Sequence, residues 1–285
     1  EEAIFVFMNA LLRAGDHLVV HAPGYQSLTA VAEAVGCRVT RWEAAAGQGW
    51  APDPDWLAGH VTPATRAVVA NFPHNPTGYL PDKAQFERMV GIARCLGLLF
   101  FSDEVYRFLE YREEDRLPAA CEIYENGISL GVMSKAFGLA GLRLGWVACR
   151  NRGVLGAMAG LKDYTTICTA APSEFLAALA LRQRRRILAR NLEIIRGNLD
   201  RLSEFMAGHE RFFAWQPPKA GPVVFPAMRF AAASDDFCAG LLAACGVLLL
   251  PGSVFGAARH FRIGFGRRDF RPGLDKASDY LKKYC

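Results

Sequence analysis

The sequence predicts an α/β protein, with a three-layer αβα large domain on a mainly parallel sheet followed by a smaller C-terminal α+β domain. Three observations carry that expectation. Up to about residue 150, short apolar runs alternate with amphipathic stretches, the pattern of βαβ crossovers that cover both faces of one sheet. Four of those runs end on a polar or aromatic residue, namely Tyr25, Asn75, Asp103 and Lys135. Open α/β sheets bind ligands outside the carboxyl ends of their strands, so four such exits describe one site. From about Pro172 the chain becomes almost continuously helical through Phe205 and then turns to shorter strands. The division is therefore expected at 1–184 and 185–285.

In order, Glu1 to Leu12 is already helical in pattern, without a start methionine, signal peptide or cap. This reads as a fragment that begins inside a larger fold. The helix stops at Gly15, and Leu18-Val19-Val20-His21 is a strand running into Ala22-Pro23-Gly24-Tyr25. Ser27 to Val35 is a helix ended by Gly36, and Arg38 to Trp42 is a strand. A short helix around Trp56 precedes the strand Ala67 to Phe72, which enters Pro73-His74-Asn75-Pro76-Thr77-Gly78. The helix Lys83 to Leu96 leads to the strand Leu98 to Phe101 and then to Ser102-Asp103-Glu104-Val105-Tyr106. Ile128 to Met133 is a strand that delivers Ser134 and Lys135, and Trp146 to Cys149 is the next. In the last third, strands are expected at Val223–Phe225, Val247–Pro251 and Phe261–Phe265. Helices are expected near Asp236–Ala244 and from about Arg271 to Lys283.

Composition narrows the class. Of 285 residues, 52% are apolar and 21% charged, an ordinary globular balance with no run of eighteen apolar residues. A net charge of +5 is small for this length. Its densest part, Arg182 to Arg190, follows a helical pattern and reads as a solvated face rather than a nucleic-acid patch. Eight cysteines without a Cys-x-x-Cys pair read as reduced thiols of a cytoplasmic protein.

The candidate chemistry gathers at the strand exits. A lysine leaving a buried strand is readily deprotonated, because desolvation disfavours the ammonium form, and a neutral amine attacks an aldehyde to form a Schiff base. Glycines 138, 141 and 145 let backbone approach a bulky ligand, and Arg143 is placed to clamp a phosphate. Ser-Lys alone is commonly a solvated loop, and Asn-Pro-x-Gly alone is commonly only a turn. Asp103 ends an apolar strand, where a carboxylate calls for a cationic partner or serves as a helix cap. Tyr106, three residues on, reaches the same cluster or simply packs.

Together these stretches resemble the fold-type I, aspartate-aminotransferase-like enzymes that use pyridoxal phosphate (aminotransferase classes I and II). The matching motifs are Pro-Gly-Tyr at 23–25, Asn-Pro-Thr-Gly at 75–78, Asp-Glu-Val-Tyr at 103–106, Ser-Lys with Gly-Leu-Arg at 134–143, and Phe-Arg-Ile-Gly-Phe at 261–265. They occur in the family's order over essentially the whole chain. The resemblance implies the pyridoxal-phosphate transferase fold. It makes Lys135 the Schiff-base lysine and proton shuttle, and Asp103 the partner of the pyridine nitrogen. Asn75 and Tyr106 would hydrogen-bond the phenolic oxygen, Tyr25 would stack on the ring, and Arg143 with Ser134 would serve the phosphate. Lys135, Asp103 and Tyr106 are thus the catalytic candidates, and Arg262 with Asn75 would bind the substrate α-carboxylate. The implied partners are an α-amino acid, a 2-oxo acid and a second copy of the chain in a homodimer, with no nucleic acid, membrane or metal.

Two departures stand out. The family usually carries a hydroxyl residue three positions before the lysine, and here that residue is Val132. The phosphate-binding turn and the dimer-exchanged tyrosine of the family would both lie upstream of Glu1. The resemblance leaves a second enzyme reading, a β-lyase or an elimination–cyclisation enzyme of the capreomycidine-synthase type, carried by Lys162 to Ile167 and the Pro-His-Asn-Pro turn. A third reading is the aminotransferase-like effector domain of a transcriptional regulator. No arginine lies between Arg152 and Arg182, which argues against a side-chain clamp for dicarboxylic substrates.

Overall fold

In the computed structural model, which describes residues 1–282, the first half of the chain alternates helix and strand as patterned. It runs α1 (Glu2–Leu11), β1 (His17–Ala22), α2 (Ser27–Val35), β2 (Arg38–Glu43), α3 (Pro54–His60), β3 (Thr65–Asn71), α4 (Lys83–Cys95) and β4 (Leu99–Asp103). Then follow α5 (Ala120–Ile123), β5 (Gly127–Val132), β6 (Gly145–Cys149) and α6 (Arg152–Lys162). The six strands form one sheet in the order β2-β1-β3-β4-β5-β6. All neighbours pair in parallel except β5 and β6. β6 is antiparallel because a loop, not a crossover helix, joins it to β5, and the chain simply turns back along the edge. That loop carries Lys135.

Alternation along the strands splits the core in two. Leu18, Val20, Ala67, Val69 and Phe101 face a layer that includes α1, α2 and α6, while Val19, Val68, Ala70 and Phe100 face α3, α4 and α5. Two apolar faces, each covered by helices, make the three-layer architecture. The order of strands reverses direction between β1 and β3, so the crevice of the open sheet lies above their carboxyl ends. Register sets what meets there. Asn71 pairs with Asp103, and Asp103 with Leu130.

The second half is α7 (Ala171–Arg182), α8 (Arg184–Gly208), β7 (Phe213–Ala214), β8 (Val223–Val224), β9 (Ala227–Met228), α9 (Ser234–Cys245), β10 (Leu250–Pro251), β11 (Phe261–Gly264) and α10 (Arg271–Lys282). A three-stranded antiparallel sheet, β10-β11-β8, and the pair β7-β9 pack with α8, α9 and α10 around Phe213, Phe237, Phe261 and Phe265. Tyr106, Met133 and Phe137 from the first half enter the same core. The floor of the crevice is therefore braced on both halves.

The almost continuously helical stretch expected from Ser173 to Phe205 consists of two helices that meet at Gln183. α7 buries Ala177 and Ala180, and α8 buries Ile195, Asn198, Leu202 and Met206. One strand expectation needs correction. The strand expected over Val247–Pro251 is reduced to Leu250–Pro251, since Leu248 stands out in solvent with no strand beside it to pair. Lys283, the expected end of the closing helix, lies outside the described residues.

Candidate active site

Four of the parallel strands, β1, β3, β4 and β5, end at the crevice and deliver an element of the site. Asp103 closes β4 and is 4% exposed. Its Oδ1 accepts the Val105 N–H at 3.2 Å. Burial pushes its pKa up to about 6, against a smaller downward pull from the Val105 N–H, the chain's amino terminus and Lys135. A buried carboxylate so poised is stabilised by a cation set directly against it.

Lys135 lies in the turn after β5, where its carbonyl accepts the Gly138 N–H at 3.0 Å. Its side chain reaches solvent at the mouth of the crevice, yet the surrounding protein lowers its pKa. Burial is the main cause, and Arg262 and Arg143 push the same way, while Asp103 and Glu1 oppose. Its Nζ stands 6.0 Å from the centroid of the Tyr106 ring. Tyr106 is buried, its pKa raised to about 12 mainly by burial, with Arg262 acting the other way. The lysine is thereby drawn towards its nucleophilic form and the tyrosine kept a hydrogen-bond donor.

Asn75 is held by its neighbours rather than by its own turn alone. Its N–H donates to Asn71 Oδ1 at 2.8 Å, and Asn71 Nδ2 donates to the Asp103 carbonyl at 2.8 Å. Asn75 Oδ1 accepts from Arg262 Nη1 at 2.8 Å, which joins β11 of the second half to the exit of β3. Gly78 closes the turn at φ +72°, and a Cβ there would come 2.4 Å from Pro218 Cβ and 2.6 Å from the Val223 carbonyl. Glycine is what lets the Asn-Pro-Thr-Gly turn press onto the second half. Arg262 has no carboxylate partner among the described residues, and its guanidinium lies 5.7 Å from the Phe255 ring.

Lys135, Asp103, Tyr106, Asn75 and Arg262 thus converge. Tyr25 and Arg143 stand at the rim. The Tyr25 hydroxyl donates to the Glu1 carboxylate, and Asp103 is among the charges that raise its pKa to about 12, after burial and Glu1. Arg143 sits in the left-handed region at φ +50° and donates Nη1 to the Ala140 carbonyl at 2.9 Å. Ser134 adjoins Lys135, but its hydroxyl makes no hydrogen bond among the described residues. Val132 spends its side chain on packing, since its Cγ1 would lie 2.9 Å from a Cβ placed on Gly145. Sequence reasoning missed Asn71. The available signal was a polar residue ending the apolar run Ala67–Ala70, in register with the aspartate of the next strand.

The donor set fits pyridoxal phosphate: a buried acid for a ring cation, a deprotonatable lysine, two donors for a phenolic oxygen and a free guanidinium for a carboxylate. Comparison with known proteins gives the same answer. Residues 1–269 match the family Aminotransferase class I and II. Capreomycidine synthase from Streptomyces vinaceus is 34% identical over 285 residues, covering 98% of this chain and 72% of that protein. A pyridoxal-phosphate-dependent aminotransferase from Streptococcus suis superposes with a TM-score of 0.94 at 33% identity, over 99% of this chain and 75% of that one. The pyridoxal-phosphate-dependent cyclase OrfR superposes with a TM-score of 0.91 at 35% identity, over 100% and 76%. The chain spans about three quarters of the length of these relatives. It belongs to the class I and II aminotransferases, pyridoxal-phosphate enzymes of fold type I that move an amino group between an amino acid and a 2-oxo acid.

The buried acid gives a first prediction. Between its ordinary pKa near 3.8 and the folded value of about 6, the folded state binds more protons than the unfolded state. Stability of the cofactor-free protein therefore falls as pH rises through that window, by roughly 3 kcal/mol at about 1.4 kcal/mol per unit. Asp103→Asn is expected to raise the apo-protein's melting temperature at pH 8 while weakening pyridoxal phosphate binding at least tenfold. Calorimetry from pH 4 to 8 checks the first half and a cofactor titration the second. A variant that gains no stability at pH 8 would refute the buried-charge account.

Proposed function

We propose that this chain performs transamination with Lys135 as the residue that carries the cofactor and moves the proton. When bound, pyridoxal phosphate supplies an aldehyde for the amino group and a ring that takes up the electron pair left at the substrate's Cα. The chain supplies the rest. Lys135, drawn towards its neutral form, would take the proton from the substrate's Cα and return it to the former aldehyde carbon, on the far side of the nitrogen. Asp103 keeps the ring nitrogen protonated by ion pairing in a buried place. Tyr106 and Asn75 would donate to the phenolic oxygen, Tyr25 would cover the ring, and Arg143 with Ser134 would contact the phosphate. Arg262 grips the α-carboxylate with its planar fork. Residues 1–184 form the cofactor-binding domain and 185–285 the small domain that brings Arg262 to it. The observation that carries this reading is the convergence of Lys135, Asp103, Asn75 and Arg262 from four separate strands.

The test is a panel of amino donors against 2-oxo acids, with the cofactor's absorbance followed through each half-reaction. Transamination returns a new amino acid for each 2-oxo acid consumed. A second reading has a specific basis, since capreomycidine synthase and the cyclase OrfR are 34% and 35% identical to this chain. An elimination–cyclisation enzyme would act on an amino acid with a leaving group at Cβ and consume no 2-oxo acid. Turnover without an acceptor would select that reading and set transamination aside.

The enzyme is further proposed to be a cytoplasmic homodimer. Support comes from the segment Tyr164–Pro172 and α7, where Tyr164 is 90% exposed and Ile167, Phe175 and Leu176 also face out. Isologous dimers are the commonest way to cover such a face. Sedimentation of the cofactor-loaded protein is expected to give twice the chain mass. Phe175→Asp with Leu176→Asp should shift it towards a single chain and lose activity, and a fully active monomer would contradict the proposal.

A further inference from the structure

Beneath the two turns that carry Tyr25 and Asn75 lies a pair of imidazoles. His21, the next-to-last residue of strand β1, is 2% exposed, and His74, just past β3, is 0% exposed. Their rings stack with centroids 4.0 Å apart and planes inclined by 27°. They occupy the point where the sheet order reverses, directly under the crevice. His74 Nδ1 lies 2.6 Å from Thr77 Oγ1. Both nitrogens of His21 and Nε2 of His74 are buried without a hydrogen-bond partner. The Pro23 carbonyl faces the His74 ring without closing a hydrogen bond of normal geometry. His21 is flanked by Phe72 at 5.1 Å and Trp42 at 5.9 Å between centroids.

An apolar pair would fill this space without leaving ring nitrogens unpaired, and the nitrogen put to use is His74 Nδ1, on Thr77. What the pair does mechanically is specific. His74 closes the Asn75 turn with its side chain on Thr77 and with its backbone, its N–H donating to Tyr79 O at 2.9 Å and its carbonyl accepting from Gly78 N–H at 2.8 Å. The Tyr25 turn folds onto His21, whose carbonyl would lie 2.6 Å from a Cβ on Gly24. The stack therefore spans the crevice floor from one turn to the other. Burial holds both rings neutral, and neutral rings stack face to face without repulsion.

We propose that His21 and His74 are positioning residues for the transamination site, an uncharged stack that fixes the Tyr25 turn against the Asn75 turn and so sets the slot into which the cofactor ring fits. The inference rests on the roles proposed above for Tyr25 and Asn75. Neither histidine touches the reacting atoms.

The test compares four single variants of the full chain by pyridoxal phosphate Kd, by circular dichroism of the bound cofactor, and by melting temperature without cofactor. His21→Ala removes the stack and is expected to raise Kd about tenfold or more and to weaken the cofactor's dichroic band. His21→Phe keeps a ring and should stay within about threefold of the parent. His74→Phe keeps the ring but loses Thr77, and Thr77→Val loses the same bond from the other side. Both should raise Kd by several-fold and by similar factors. A structural role alone would lower the melting temperature while leaving Kd and dichroism of the folded protein unchanged, and that result overturns the proposal. Should His21→Ala fail to fold, the two Thr77-bond variants decide, and parental Kd values in both overturn it as well. Borohydride mapping of the parent separates the underlying reading: no adduct on Lys135 brings down the transamination assignment and this inference with it.

Discussion

Lys135→Ala is expected to abolish transamination, with kcat/KM reduced by at least about 10⁴-fold. General acid–base catalysis by a positioned side chain contributes roughly 10²–10⁴-fold, and in the proposed function this lysine also carries the cofactor covalently, so two contributions would vanish together. Borohydride reduction followed by peptide mapping should place the pyridoxyl group on Lys135 in the parent and nowhere in the variant. Lys135→Arg should be equally inert despite its charge, because a guanidinium remains protonated and cannot attack an aldehyde. The environment points the same way, with burial, Arg262 and Arg143 all favouring the free amine. An adduct found on another lysine, or a variant that keeps a few per cent of activity, would remove Lys135 from the mechanism.

Arg262→Ala is expected to lower kcat/KM by roughly 30- to several-thousand-fold. Truncating one partner of a desolvated carboxylate–guanidinium pair costs about 2–5 kcal/mol, and about 1.4 kcal/mol is a factor of ten. The structure sharpens this, since Arg262 has no carboxylate partner among the described residues and donates to Asn75 at 2.8 Å. The bound cofactor's spectrum should change little, because the residues proposed to hold the ring, Asp103, Tyr106, Tyr25 and Arg143, are untouched. Arg262→Lys should recover only part of the loss, having the charge without the fork. Near-parental efficiency of Arg262→Ala with every active amino acid would mean that the carboxylate docks elsewhere.

Much of the fold was legible because its signals are local. The apolar runs ending at Tyr25, Asn75, Asp103 and Lys135 mark strands leaving a buried sheet, and the amphipathic runs between them mark crossovers. The break at Gln183 was not legible. No proline or glycine announces it, and the buried apolar residues on either side of it join one core.

The sequence by itself determined which chemical groups stand at the strand exits: the lysine, the buried acid, the asparagine turn and, late in the chain, Arg262. Only the tertiary structure decided how they meet. Asn75 and Arg262 are 187 residues apart yet hydrogen-bonded, and Asn71 reaches the Asp103 carbonyl because β3 and β4 pair in that register. The histidine stack exists because β1 and β3, distant in sequence, are neighbours in the sheet. Periodicity reports how a segment buries its own face. Strand order, register and the closure of one half on the other depend on the packing free energy of the whole chain, and those set the distances within the site.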